Sequence, residues 1–364
     1  MMLMHILLVE PKYYSQYPPL GLLKISAYHK MLGDTVELIH GCGLPKYKPD
    51  RVYVTSLYTW AWRPVWEAVR FYKAMYPKAE VWLGGLYASL LPDHAAKSGA
   101  DYIHVGLFSE AEDLLPDYAI LSESERWRNW DGSIVFTSRG CNNNCGFCAV
   151  PLLEGKINLA KRSIKHLIWP GHTKIVLWDN NLLQSPYWRD ILSEIEELCR
   201  DRNMKVDFNQ GLDAALITDE VAERLSKLRY PGRIKVRLGY DYKAKGKFVK
   251  RAIERLNAHG IKGRSIMVYT LYNYTDDPED FFERVRNVLE WGACAYPMRY
   301  EPIFALEKNK YISPKWDPQR LEMIQKFRRI VGSGGILPPY NALIEKFKRA
   351  KCFDEAFSIW RKKQ

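Results

Sequence analysis

Close-spaced cysteines are scarce in this chain, and the scarcity narrows its chemistry. Of seven cysteines in 364 residues, Cys42, Cys199, Cys294 and Cys352 stand far apart, and one short run holds the others. No second set exists to hold an auxiliary cluster. A structural zinc site needs a fourth Cys or His at short spacing, and the nearest candidate, His166, lies well downstream. An odd cysteine count without a secretory signal argues against a disulfide framework. Long apolar runs are missing too. The stretch from Met1 to Val9 lacks a basic start and meets Glu10, Pro11 and Lys12 at once. It reads as a first buried strand rather than a signal peptide, and no run is long enough to span a membrane. Unpaired thiols point to a reducing, cytoplasmic setting.

An acidic excess is also lacking. Lys and Arg number 54 against 42 Asp and Glu, a net charge of +12. Residues 305–364 carry 14 Lys and Arg against 6 Asp and Glu, so +8 of the total sits in this tail. A basic helical tail suits nucleic acid or another polyanion; a solvated amphipathic face is the plainer reading. With 47% hydrophobic and 26% charged residues the composition is that of an ordinary globular protein. The length allows two domains with substantial cores.

What is present is the run Thr137-Ser138-Arg139-Gly140-Cys141-Asn142-Asn143-Asn144-Cys145-Gly146-Phe147-Cys148. The spacing C-x₃-C-x₂-C puts three thiolates on one loop, each able to ligate a different iron of a cubane cluster. Such a cluster usually takes four cysteines, so three leave one iron open. Asn and Gly between the thiols suit a tight loop, and Gly140 permits close backbone approach. An apolar stretch, Ile134–Thr137, predicts a strand running into the loop.

Two alternations of strand and helix organise the chain. Strands are predicted at His5–Val9, Thr35–Ile39, Arg51–Thr55, Val81–Leu83 and Tyr102–Val105. Val65, Ala68, Val69, Tyr72 and Tyr76 recur at helical spacing between two of them. Residues Pro116–Asp131 break the rhythm as a linker. From Ile134 a second series places strands at Lys174–Trp178, Lys205–Phe208, Arg233–Leu238, Arg264–Tyr269 and Ala295–Arg299. Helices fit at Trp188–Arg200, Thr218–Leu228, Lys247–His259 and Pro278–Trp291. The expected fold class is α/β. A doubly wound parallel sheet (1–116) and a linker (117–132) lead to a partial (β/α)6 TIM-like barrel (133–304) and a basic helical extension (305–364). From about Asp317 the extension reads as two or three helices interrupted by Gly332–Gly335 and Pro338-Pro339.

The cysteine run, with Phe147 before its last thiol, resembles the signature of the radical S-adenosylmethionine (SAM) superfamily. That resemblance implies a [4Fe-4S] cluster on Cys141, Cys145 and Cys148, its open iron chelated by the amino and carboxylate groups of SAM. Reductive cleavage would then release a 5′-deoxyadenosyl radical that activates a substrate C–H bond, fed by a low-potential donor such as ferredoxin or flavodoxin. It also implies SAM contacts at Phe147, at Asp179-Asn180-Asn181 after the second barrel strand, and at Gln210, Arg237, Tyr269, Met298 and Arg299 on later strands. The acidic–amide triplet departs from the glycine–glycine–glutamate form common in the family, and an Asp-Asn-Asn helix cap would read the same way. Arg237 could pair with SAM or satisfy a structural carboxylate.

The first unit resembles the cobalamin-binding-like domain of one branch of this superfamily. The likeness rests on Tyr17-Pro18-Pro19-Leu20-Gly21-Leu22, Leu83-Gly84-Gly85-Leu86-Tyr87-Ala88-Ser89 and the segment Gly106–Glu112. It implies a cobalamin contact at Thr55, Leu57, Gly84 and Gly85. The Asp-x-His-x-x-Gly motif that supplies a cobalt ligand is replaced by Glu10-Pro11-Lys12-Tyr13-Tyr14. Retention of the fold without the corrin is therefore equally consistent. Methyl transfer through cobalamin, rearrangement, cyclisation and oxidation all remain open as outcomes. So does an iron–sulfur redox sensor or nucleic-acid-binding protein, or an enzyme modifying nucleic acid. The rings Tyr53, Tyr58, Trp60, Trp62 and Trp66 suit stacking on a ligand or packing between domains.

Overall fold

The computed structural model describes residues 3–331 and 341–358. The first unit is a five-stranded parallel sheet of β1 (His5–Glu10), β2 (Thr35–His40), β3 (Arg51–Ser56), β4 (Glu80–Gly85) and β5 (Tyr102–Ile103), ordered β2-β1-β3-β4-β5. Its central strands β1 and β3 are apolar through their middle because both faces are covered there. Leu7, Val9, Val52 and Val54 pack on one side against Val65, Ala68, Val69 and Tyr72 of helix α2 (Trp62–Met75). Ile6, Leu8 and Tyr53 point the other way, toward Leu22 and Leu23 of α1 (Leu20–Met31). That period of two, read across both faces, is what a buried parallel strand requires. Two short helices, α3 (Leu86–Leu90) and α4 (Pro92–Ala96), complete the unit.

The connecting segment is packed rather than slack. Tyr118, Ile120, Leu121 and Trp127 join the same apolar cluster as Ile6 and Leu8. Trp127 Nε1 donates to the buried Glu10 carboxylate at 2.7 Å, closing the end of β1.

The second unit holds β6 (Ser133–Val135), β7 (Lys174–Leu177), β8 (Lys205–Phe208), β9 (Val236–Gly239), β10 (Ile266–Tyr272) and β11 (Cys294–Arg299). All pairs are parallel, in half-sheets β6-β7-β8 and β9-β10-β11. A single parallel bridge, Leu212 to Leu238, joins the halves. Helices α6 (Trp188–Asp201), α7 (Asp219–Lys227), α8 (Gly246–Ala258) and α9 (Pro278–Glu290) cover the outside. Thr218 and Asp277 cap α7 and α9 through their side-chain oxygens.

Two expectations need correction. The first barrel strand stops at Val135 instead of Thr137, because the Thr137 N–H donates to Asp179 rather than to a ladder partner. No full helix follows it: α5 (Val150–Leu153) has four residues. That crossover is spent on the cysteine loop and on an antiparallel bridge between Arg139 and Asn158. The tail forms α10 (Pro318–Val331), α11 (Asn341–Arg349) and α12 (Phe353–Phe357); the Gly332–Gly335 and Pro338-Pro339 break lies outside the described residues. Phe327, Phe347, Phe353 and Phe357 join the barrel core beside Phe281 and Phe282 of α9. Among the described residues no helix is long and apolar enough to cross a membrane.

Candidate functional site

The loop after β6 is tied down from several directions. Asp179, directly beyond β7, accepts from Thr137 N (3.0 Å), Thr137 Oγ1 (2.5 Å) and Ser138 N (2.9 Å). Burial pushes its pKa up, and the Thr137 and Ser138 donors oppose that shift. Gly140 has φ +75°, and a Cβ there would sit 2.1 Å from the Lys156 carbonyl oxygen, so only glycine fits. Cys141 N donates to Gly155 O at 2.9 Å, and Cys148 N turns back on Cys145 O at 3.0 Å.

All three thiols of the loop are half-buried. Cys141 Sγ receives Asn143 N at 3.4 Å and Asn181 Nδ2 at 3.7 Å, and it faces Gln184 Oε1 at 3.7 Å. Burial raises the pKa of Cys145 and Cys148. A bound metal removes that obstacle, since a coordinated thiol is deprotonated outright. Among the described residues no group of three or more His, Cys, Asp or Glu converges on one ion position. A cubane takes each thiolate on a different iron, so a cluster site does not require such convergence.

Of the triplet after β7, each residue has a different task. Asp179, expected among the SAM contacts, accepts from the Thr137 and Ser138 backbone and so positions the loop. Asn180 donates to Glu154 Oε2 at 2.8 Å. Asn181 is 4% exposed, and its Nδ2 reaches both Cys141 Sγ and, at 3.1 Å, Asp213 Oδ2. Its Oδ1 is buried without a partner, a costly state unless a donor arrives. That acceptor beside the Cys141 thiol fits an ammonium group.

Phe147 lies against Tyr242 and Tyr274, with ring centroids 6.1 and 5.8 Å away. A Cβ on the neighbouring Gly146 would fall 2.7 Å from the Tyr274 hydroxyl. Gln184, Asp213, Glu154, Tyr242 and Tyr274 were not singled out by sequence reasoning. Asp213 and Gln184 bracket Asn143, the first at 2.9 Å and the second at 3.2 Å. Polar residues just past β7 and β8 were the available signal for both.

Inside the barrel Arg237 pairs with Asp207 of β8 and donates to Phe208 O at 3.2 Å, so it satisfies a structural carboxylate. Tyr269, two residues along β10 from the register partner of Arg237, packs edge-on to Tyr296 at 5.6 Å. Gln210 is exposed, its Nε2 donating to Asn209 Oδ1 at 3.5 Å, while Asn209 Nδ2 donates to the Tyr17 hydroxyl of the first unit. At the end of β11 Met298 is 40% exposed. Arg299 donates to the carbonyls of Asn309 and Tyr311, and its Nε pairs with Glu301 Oε1 at 3.7 Å, too long for a hydrogen bond, while Glu301 Oε2 is buried without a hydrogen-bond partner. Glu301 Oε2 is thus a second buried acceptor left open beside an ion pair.

Of the four residues with an expected cobalamin contact, Thr55, Gly84 and Gly85 lie within the sheet. Thr55 is the register partner of Gly84 across β3 and β4, and Leu57, just past β3, is half-buried. Gly84 O accepts from Ser56 Oγ at 2.7 Å. A Cβ on Gly85 would stand 2.2 Å from Ser56 O, so strand pairing alone demands that glycine. The aromatic group divides. Trp62 Nε1 donates to Leu306 O at 3.2 Å and Lys308 lies over Trp60 at 4.5 Å, both contacts between the units. Tyr53 sits apart, bonded to His29.

No family model matches the chain, and no curated protein matches it in sequence. Among solved structures it is similar to the radical S-adenosylmethionine methyltransferase TsrM from Kitasatospora setae. TsrM with tryptophan substrate and the SAM analogue aza-SAM bound is 15% identical, with a TM-score of 0.60 over 82% of this chain and 75% of that one. TsrM with cobalamin and a [4Fe-4S] cluster bound is also 15% identical, with a TM-score of 0.60 over 83% and 74%. The chain has the fold of the radical SAM enzymes in which a cobalamin-binding-like domain precedes the barrel.

Proposed function

We propose that this protein is a radical SAM enzyme in which Cys141, Cys145 and Cys148 hold a [4Fe-4S] cluster and S-adenosylmethionine binds beside it in the barrel mouth. One observation carries the reading: the loop after β6 puts three half-buried thiols next to a buried, partnerless amide oxygen, Asn181 Oδ1. When bound, cluster and SAM supply one-electron cleavage of a sulfonium C–S bond and a carbon-centred radical able to take hydrogen from an unreactive C–H. The remaining work belongs to the protein. Asn181 Oδ1 accepts from the SAM ammonium while its Nδ2 steadies Cys141. Phe147, backed by Tyr242 and Tyr274, keeps water from the loop. Glu301 Oε2, on a carboxylate whose other oxygen pairs with Arg299 Nε, offers an acceptor to the nucleoside end, with Met298 beside it. Tyr269 and the Arg237–Asp207 pair form a polar wall facing the substrate, and Asn209 and Gln210 border it. The net charge of +12 favours an acidic electron donor of the ferredoxin or flavodoxin kind.

A second reading adds cobalamin and methyl transfer. It is supported by the fold likeness to TsrM and by the position of Thr55, Leu57, Gly84 and Gly85 at the C-terminal ends of parallel strands, where open sheets take ligands. Reconstitution with hydroxocobalamin that leaves no corrin absorption on the protein would remove it.

The primary test is turnover. Anaerobically reconstituted protein, reduced and given SAM, is expected to form 5′-deoxyadenosine only when the reductant is present, and Cys148→Ala is expected to abolish it. Cluster-loaded protein that binds no SAM and forms no 5′-deoxyadenosine would contradict the proposal.

A further inference from the structure

Between the two units runs a chain of four alternating charges that ends on the cysteine loop. Lys24 of α1 meets Glu112 Oε1 at 3.0 Å. Glu112 Oε2 accepts two bonds from Arg139, at 2.8 Å from Nη2 and 3.1 Å from Nε. Arg139 Nη1 also reaches Glu154 Oε1 at 3.4 Å. The other oxygen of Glu154 accepts from Gly140 N at 2.9 Å and from Asn180 Nδ2 at 2.8 Å. Arg139 is 8% exposed in its side chain and Glu112 14%. The guanidinium lies over the Phe136 ring, 3.4 Å from its centroid. The cavity enclosed here measures about 10 Å³, room for about one water molecule.

Charges this buried persist only when each has its partner, and two N–H donors of one planar guanidinium converging on a single carboxylate oxygen fix direction as well as distance. If the Glu112 carboxylate is lost, Arg139 keeps a single anionic neighbour, Glu154. The guanidinium then draws Glu154 toward itself and away from Gly140 N and Asn180 Nδ2, the groups flanking Cys141 and Asn181.

We propose that Glu112, in the first unit, is a positioning residue for the iron–sulfur loop, acting through Arg139 and Glu154 on the backbone that presents Cys141. This rests on the cluster reading above. The first unit thereby contributes to the metal site without touching it.

The test compares anaerobically reconstituted full-length protein with Glu112→Gln, Glu112→Asp and Lys24→Met. Readouts are iron and sulfide per chain, and the change in the electron paramagnetic resonance (EPR) spectrum of the reduced cluster when SAM is added. Glu112→Gln is expected to retain half the iron or less and to need at least fivefold more SAM for the spectral change. Glu112→Asp should recover part of both. Lys24→Met, which spares the Glu112–Arg139 bonds, should behave like the parent. A folded Glu112→Gln protein with parental iron content and SAM response would overturn the proposal. So would a Lys24→Met protein as impaired as Glu112→Gln. Should Glu112→Gln fail to fold, Arg139→Lys carries the same test, because lysine keeps the charge but cannot bond in two-point fashion. If parent protein takes up no cluster, the cluster reading falls with it; if only the variants are indistinguishable from a loaded parent, Glu112 alone loses its role.

Discussion

Single residues around Cys141 divide into those that shape the loop and those left open for a ligand. Gly140 belongs to the first kind. Its left-handed backbone and the 2.1 Å approach of the Lys156 carbonyl to any Cβ predict that Gly140→Ala loses the cluster, measured as iron per chain, even where the protein still folds. Asn181 belongs to the second. Replacing it with Ala is expected to leave iron content near parental and weaken SAM binding about tenfold, the usual worth of a hydrogen bond to a charged group; calorimetric titration of loaded protein would check this. Unchanged affinity would remove Asn181 from the SAM site. The cysteines were legible in the sequence because their spacing leaves few chemistries. Asp179 was not, since a carboxylate after a strand reads alike whether it faces a ligand or a neighbouring backbone. Only the fold brings Thr137 and Ser138 over it. Arg237 was ambiguous for a similar reason: its partner Asp207 lies on a strand of the other half-sheet, joined by a single bridge.

At the scale of elements, period and spacing located the strands of both sheets, because apolar runs bounded by turn residues leave little choice of conformation. Boundaries failed where side chains competed with the ladder, as at Thr137. Docking of the tail was also hidden: its helical period is visible, but not the surface it covers. Phe353 is fully buried among Trp316 and Phe357. Phe353→Ala is expected to destabilise the protein by about 3–5 kcal/mol in chemical denaturation; a loss below about 1 kcal/mol would mean that the tail is not part of the core. A pH effect belongs to the turn before β7. His172 is buried, bonded to Ser133 Oγ at 3.0 Å, and burial holds its pKa down at about 4. The unfolded chain, with an ordinary value near 6.5, binds the proton first. Its contribution is therefore complete above about pH 6.5 and is lost as pH falls from there through about 4, by up to about 3 kcal/mol. His172→Gln should flatten that part of the stability–pH curve relative to the parent; equal slopes would contradict the assignment.

For the whole molecule, the two units are joined by several separate side-chain contacts. Loop contacts from the first unit reach residues 305–308 beyond β11, Tyr17 reaches Asn209, and Glu112 reaches the cysteine loop. Fold class was readable from the order of strands and helices, but none of these contacts was, because each joins residues far apart in sequence through side chains with several plausible partners. The central claim is that three neighbouring cysteines hold a cubane with one open iron. It is tested most directly by Mössbauer and iron–sulfide analysis of anaerobically reconstituted protein beside the triple variant Cys141→Ala, Cys145→Ala, Cys148→Ala. The account predicts about four irons and four sulfides per chain, with one iron changing its environment when SAM is added, and none of this in the triple variant. Iron content that survives loss of all three thiols, or a parent protein that takes up no cubane, would contradict it.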